Sequence, residues 1–376
     1  MVAGDKLLGL LARARRWRDP SHSVYPSRRL EPGSMSPAPD VPPEIERPPY
    51  VADAASAVAP ARATSVGALP ELFADDPDGL ERMRRAGAIA AAALSLAGRM
   101  IEAWPSSADG GVGISGSGSA EAAAAAATAP LTTDAIDRAV HAYLVSRGAY
   151  PSPLGYRGFP RSVCASVNEC AAHGVPDGAP LRGGDLVSVD VSAHAGGVHG
   201  DTCATFFVGG VGGGGGGGEG APRSSASARE LVEAAREALY AAVRACGPGV
   251  PFCEVGRAAQ RVADRRGMSV VRSLVGHGVG RVFHAAPAVP HHREWGARAA
   301  ARGRMALGQA FTIEPVLTLG RAAGGRLAAP WPRDGWTLVT ADGSLAAQFE
   351  HTLVVGEGGA EVLTRREGER IGGPAM

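Results

Sequence analysis

The chain has 376 residues, of which 45% are hydrophobic, and a formal net charge of +1, so a sizeable core is possible and charge gives no argument for nucleic acid or an acidic partner. No apolar run approaches the length that crosses a bilayer. The five cysteines, Cys164, Cys170, Cys203, Cys246 and Cys253, are odd in number and form no Cys-x-x-Cys pair, which argues against a zinc finger or a secreted disulfide framework and for reduced thiols in a cytosolic or organellar-matrix protein.

From the N-terminus, Lys6, Arg13, Arg15, Arg16, Arg18, Arg28 and Arg29 stand against Asp5 and Asp19, with Leu7, Leu8, Leu10 and Leu11 interleaved. A basic amphipathic stretch of this kind resembles an organellar transit peptide, the alternatives being a flexible basic tail or a gene-model artefact. Residues 31–73 are rich in proline and predict an extended or irregular lead-in rather than a core. The apolar spacing from Leu80 to Ile101 predicts a helix, and a second begins where Thr132 or a neighbour can cap and runs to about Ser146. Between them, residues 106–129 are a Gly/Ser tract followed by an alanine run, which reads as a surface insertion.

A strand ending near Val208 precedes a second insertion at 209–227, and a third lies at 292–302. Helices at 229–244 and 253–266 and strands returning at 270, 310, 336 and 348 give a mixed order with hairpins. This predicts an α+β fold with a largely antiparallel sheet and helices on one face. The chain divides into an N-terminal extension (1–75), a catalytic body (76–366) with those three insertions, and a tail (367–376).

Asp190, Asp201, His277, Glu314 and Glu350 each stand in a short apolar segment that reads as a buried strand or its edge. A carboxylate stripped of water costs several kcal/mol, so buried ones are paired or coordinate metal. Asp190 and Asp201 are eleven positions apart around Gly196-Gly197, a hairpin turn that lets both carboxylates approach one point. Singly each has an ordinary reading: a strand aspartate as a bulge or edge residue, His277 between its glycines as a core or loop histidine. Together, oxygen ligands with one nitrogen suit a pair of divalent ions, Mn, Fe, Co or Zn, and hydrolysis as the reaction class.

The runs Tyr150-Pro-Ser-Pro-Leu-Gly-Tyr-Arg-Gly-Phe-Pro-Arg-Ser-Val-Cys, His173-Gly-Val-Pro-Asp, Gly200-Asp-Thr, Gly276-His-Gly-Val-Gly, Phe283-His-Ala, Thr312-Ile-Glu-Pro and Gln348-Phe-Glu-His resemble type I methionine aminopeptidase, in order, from about Asp76 to Thr364. The resemblance implies the pita-bread (creatinase/aminopeptidase) fold, a curved antiparallel sheet with helices on its outer face. It implies removal of the initiator methionine from nascent peptides when the next residue is small. Asp190, Asp201, His277, Glu314 and Glu350 fall on the metal-ligand positions, Asp201 and Glu350 being expected to bridge two ions. His173 falls beside the substrate amine and scissile bond, His284 on the substrate carbonyl, and Glu314 also on proton transfer. Tyr156, Phe159, Cys164, Phe283 and Trp336 match the apolar methionine pocket, whose aromatic walls suit a thioether.

The lead-in and the Tyr-Pro-Ser-Pro run look most like plant and algal organellar forms, which implies a plastid or mitochondrion, with the cytoplasm as alternative. Nascent peptide N-termini are the expected partners, with the ribosome, and a monomer is expected, without nucleic acid or membrane. Arg157, Ala172, Ala286 and Pro153 depart from the family pattern; none is a ligand position, and Arg157 stands close to the pocket wall. A prolidase or aminopeptidase P shares the ligand set and is the competing enzyme reading; a catalytically inactive binding relative is the third.

Overall fold

In the computed structural model, residues 32–52, 69–104, 130–210, 226–320 and 334–371 are described. The expected transit peptide, the insertion at 106–129, most of that at 209–227 and the end of the tail lie outside them.

The first long helix, α2 (Pro77–Glu102), follows a one-turn helix α1 (Pro49–Ala52) and a short strand β1 (Glu71–Leu72). It starts three residues ahead of the apolar pattern because Asp76 caps it, accepting from the Gly79 amide at 2.8 Å, and Pro77 supplies a preset first residue. Its buried stripe of Met83, Ala86, Ala90, Leu94, Ala97 and Ile101 recurs every three or four residues. Helix α3 (Thr133–Ser146) is capped by the Thr132 hydroxyl, which accepts from Ala135 N at 3.1 Å, and buries Ile136, Val140 and Leu144.

The strands β2 (Tyr150–Pro151), β3 (Cys164–Val167), β5 (Leu186–Ala195) and β6 (Val198–Phe207) form one antiparallel sheet in which β5 is central. The β5–β6 hairpin closes at Gly196-Gly197, whose φ values of 63° and 76° belong to the left-handed region that a two-residue hairpin turn needs. Side chains alternate across a strand. One face of the hairpin carries Val187, Val189, Val191 and Ala204 against α2, which packs so closely that a Cβ at Gly200 would fall 2.5 Å from the Gly87 nitrogen. The other face carries Ser188, Asp190, Ser192, Asp201, Cys203 and Thr205, all polar or soft.

A second sheet runs in the order β15 (Gly359–Val362), β14 (His351–Gly356), β10 (Gln309–Ile313), β8 (Val275–Gly278), β9 (Ala285–Pro290), with β1 on β10. Smaller ladders join β13 (Ala346–Gln348), β11 (Val316–Thr318) and β7 (Ser269–Val270), and β12 (Leu338–Val339) with β4 (Cys170–Ala172). Every one of these pairings is antiparallel. Helix α4 (Ala226–Arg244) lies on β11 and β13, and α5 (Cys253–Arg265) on β7 and β9. The expected α+β class holds, and α4 begins three residues before the apolar pattern read from the sequence. The segment 292–302 is ordered: it contains α6 (Gly296–Ala300), closed by Arg302 donating to both carboxylate oxygens of Glu294 at 2.7 Å.

The two sheets meet where Cys203 of β6 and Glu350 form an isolated antiparallel bridge. That contact carries the polar face of the hairpin to the strand ends of the second sheet. The proline-rich lead-in is more than a flexible approach: Val41 and Ile45 are buried with Tyr150, and residues 33–52 lie along the body. Gly33 N donates to Asp177 Oδ2 at 2.7 Å, Arg161 donates to Ser36 O at 2.6 Å, and the Tyr50 hydroxyl donates to Ser152 O at 2.6 Å.

Candidate metal centre and pocket

The five residues singled out in the sequence come from five strands or strand ends and converge. Asp201, His277 and Glu350 each offer a ligand atom, and those atoms all lie within 4.8 Å of one another. Glu314 Oε1 is 3.7 Å from His277 Nε2, and Asp201 Oδ2 is equally 3.7 Å from it. Asp190 stands beside them through register: it pairs with Cys203, two residues from Asp201 and itself bridged to Glu350.

Each side chain is held in place by polar neighbours. The Ser192 hydroxyl donates to Asp201 Oδ1 at 2.6 Å. The Thr312 hydroxyl donates to Glu314 Oε1 at 3.0 Å while accepting from His277 N at 3.1 Å, and the Gln348 amide donates to Glu314 Oε2 at 3.3 Å. Thr352 Oγ1 accepts from Asp201 N and donates to Asp201 O, at 2.9 and 2.8 Å, and Thr202 Oγ1 donates to Glu350 O at 2.9 Å. The backbone of the centre is therefore pinned from both sheets.

The electrostatics of the protein groups alone are unbalanced. Burial, followed by repulsion from Asp201 and its neighbours, pushes the Asp190, Glu314 and Glu350 carboxyls well above the usual range, and burial raises Asp201 too. His277 is pulled down by burial and so stays a neutral donor at pH 7. Asp190 Oδ1 is buried without a hydrogen-bond partner. Buried polar atoms rarely go unsatisfied, and clustered carboxylates need a compensating cation. Hard oxygen donors with one imidazole nitrogen fit divalent ions of the Mn, Fe, Co or Zn type.

Around this centre the other expected residues form two aromatic groups. Tyr156, Phe283 and His284 make one: the Tyr156 ring stacks on His284 at 4.9 Å and meets Phe283 edge-on at 4.9 Å, and the His284 ring is 4.0 Å from that of His277. Phe159, Trp336 and His173 make the other, with ring centroids 5.2 Å apart for Phe159–Trp336 and 6.5 Å for His173–Trp336. Cys164 pairs with Asp190 across β3 and β5, and burial, then Asp190 and Asp201, push its thiol well up, so it is an inert apolar wall. His173 takes a left-handed backbone, φ 55°, and burial lowers its imidazole to about 4. Burial lowers His284 well below its ordinary value, followed by the nearness of His277 and His173. Both are neutral at pH 7 and able to donate one N–H.

Sequence reasoning missed several neighbours. Ser192, Thr312 and Gln348 stand two positions from Asp190, Glu314 and Glu350, on the same strand faces, a period-two signal that was available. His199, buried between Ser152 and Phe283, follows the same alternation with Asp201. Tyr50 carried no local signal: its ring lies edge-on to Tyr156 at 5.0 Å and stacked on Phe283 at 6.4 Å, contacts made across about a hundred or more residues of chain.

An acid-rich centre with one imidazole, buried between antiparallel sheets beside an aromatic slot, defines a metal-dependent hydrolase. The chain belongs to metallopeptidase family M24, whose sequence profile matches residues 81–357, and within it to the type I methionine aminopeptidases. It is 43% identical over 338 residues to methionine aminopeptidase 1D, chloroplastic/mitochondrial, of Arabidopsis thaliana, covering 90% of this chain and 80% of that one. It is 37% identical to the chloroplastic methionine aminopeptidase 1B of the same plant, covering 97% and 84%. The crystal structure of methionine aminopeptidase from Rickettsia prowazekii superposes with a TM-score of 0.64 at 29% identity, covering 79% of this chain and all of that one. The prolidase of Pyrococcus horikoshii, at 18% identity and a TM-score of 0.52, shares the fold. The pita-bread expectation is thereby met.

Proposed function

We propose that this chain removes the N-terminal methionine from nascent peptides whose second residue is small, by hydrolysis at a centre of two divalent metal ions. The observation that carries the reading is the convergence of Asp201, His277 and Glu350 within 4.8 Å, with Glu314 and Asp190 beside them. Asp190, Asp201, His277, Glu314 and Glu350 would hold the ions. When bound, such ions neutralise the clustered carboxylates, polarise the scissile carbonyl and make water a competent nucleophile at neutral pH.

The protein groups have separate tasks. His284, neutral and next to His277, donates to the carbonyl oxygen, where negative charge develops as water adds. His173, neutral and held by its strained backbone near Trp336, lies beside the amide nitrogen and the amine. Glu314 takes a proton from the attacking water and returns it to the leaving amine, its oxygens oriented by Thr312 and Gln348. Tyr156, Phe159, Cys164, Phe283 and Trp336 form the apolar slot for an unbranched thioether.

Residues 76–366 act as the catalytic body, with 1–75 as its extension and the tracts at 106–129, 209–227 and 292–302 as insertions. The basic leader and the organellar names of the relatives support import into a plastid or mitochondrion. A monomer working at nascent chains on the ribosome fits this task. No helix among the described residues is long and apolar enough to cross a membrane. The likeness to prolidase extends to the fold alone, and substrate choice separates the two: the metal-loaded protein releases methionine from Met-Ala-Ser and leaves a Leu-Pro dipeptide intact. Cleavage of Leu-Pro with Met-Ala-Ser untouched would reverse the assignment.

A further inference from the structure

Arg157 is a charged group beside the pocket to which the chemistry above gives no task. It occupies the single 3-10 turn Tyr156–Gly158 with φ 49° and ψ 33°, between Gly155 at φ 78° and Gly158 at φ 79°. Glycine takes this backbone freely, whereas a long side chain seldom does. The chain nonetheless places a permanent cation here, half-buried, with its guanidinium carbon 5.4 Å from the centroid of the Tyr156 ring. A guanidinium over an aromatic face keeps its charge and holds a defined position.

The Tyr156 ring in turn stacks on His284 at 4.9 Å, and His284 lies 4.0 Å from His277. Carboxyl groups thus crowd the centre, and a cation stands over the Tyr156 ring, one ring removed from His284. A peptide with its methionine in the apolar slot and its carbonyl at His284 leads the rest of its chain away from the centre. The ring spacings put the guanidinium within about 10 Å of His284, and an extended peptide advances about 3.3 Å per residue, so two or three residues beyond methionine come level with it.

Building on the methionine aminopeptidase reading, we propose that Arg157 is a specificity-determining residue that favours peptides with an Asp or Glu at the third or fourth position and disfavours Lys or Arg there. The second residue stays small; the selection acts just beyond it, through charge rather than shape. Because the group is half-exposed and about a Debye length of 10 Å spans the gap at 0.1 M salt, the preference is modest and ionic-strength dependent.

The test compares C-terminally amidated Met-Ala-Glu-Ala and Met-Ala-Lys-Ala, in which only one side chain differs in charge, using the full chain with Mn. The expected ratio of kcat/KM for the Glu over the Lys peptide is about five- to tenfold at low salt, falling toward one at 0.5 M. Arg157→Gly, which suits the left-handed backbone, brings the ratio to about one, and Arg157→Glu inverts it. Calorimetric titration of both peptides gives the same ratios as dissociation constants. Equal ratios in the parent protein and both variants overturn the inference while methionine release continues to support the reading beneath it. If neither peptide releases methionine, that reading falls, and the calorimetric ratio still decides whether Arg157 discriminates by charge.

Discussion

Asp201→Asn should stabilise the metal-free protein while crippling its metal binding. The Asp201 and Glu350 ligand atoms lie within 4.8 Å of each other, and like charges at that separation repel by about 3 kcal/mol at an effective dielectric of about 20. Glu314 and Asp190 add to this, while protonation in the free protein relieves part of it. Asparagine has the same shape, keeps an oxygen for the Ser192 hydroxyl and loses no ion pair with His277, which burial keeps neutral. The sign follows from the raised carboxyl: its contribution is intact below the unfolded value of 3.8 and is lost as pH rises through the folded value, so the variant gains at neutral pH and shows no gain near pH 3. A net gain of about 2 kcal/mol corresponds to a melting temperature roughly 5 °C higher in EDTA at pH 7.5. With Mn at about 100 times its dissociation constant the parent protein should gain about 2.7 kcal/mol, and the variant much less. A variant that melts lower than the parent in EDTA, or gains as much from Mn, would refute the argument that this carboxylate is retained for cation binding at the expense of the apo fold.

Other expectations follow from the same geometry. His173→Gln and His284→Gln should each lower kcat by about a hundred- to a thousandfold with metal stoichiometry unchanged, measured by steady-state kinetics and elemental analysis; loss of metal in either would make it a ligand instead. In metal-free protein, His173 should titrate near 4 by NMR, with its share of stability complete above pH 6.5 and lost as pH falls toward 4; a midpoint near 6.5 would contradict its burial. Tyr50→Ala should raise KM for methionine peptides by loosening Tyr156 and Phe283, whereas Tyr50→Phe keeps the ring and gives up the bond to Ser152 O, about 1 kcal/mol; equal KM in parent and Tyr50→Ala would detach the lead-in from the pocket. N-terminal sequencing of the protein isolated from the organelle should find a start downstream of Arg29 and upstream of Gly33, which donates to Asp177; a mature chain that still carries the basic leader would contradict import by cleavage.

The parts of the fold legible in the sequence were those fixed by local chemistry. Helix α3 was readable at both ends because Thr132 caps one and the apolar stripe stops at the other. The five centre residues were legible because acids in apolar strands are costly unless compensated, and the hairpin turn at Gly196-Gly197 fixes how Asp190 and Asp201 approach. What stayed hidden is non-local. No periodicity in residues 32–52 announces that Val41, Ile45 and Tyr50 pack on the body, since irregular chain carries no pattern for the surface it meets. The bridge between Cys203 and Glu350 depends on how two sheets curve toward each other, which no single segment encodes. The ordered turn within 292–302 was missed because its anchor, Glu294 with Arg302, reads in sequence as two ordinary surface charges.

The central claim is that this buried cluster of acids and His277 is a metal centre serving methionine release. Its most direct test is free methionine liberated from Met-Ala-Ser by the full chain, after chelation and then on readdition of Mn, Co, Fe or Zn. Release that vanishes on chelation, returns with a divalent ion and is absent from Glu350→Gln at the same metal concentration is the predicted result. Release undiminished by exhaustive chelation, or folded protein that stays inactive with every ion, would contradict the account.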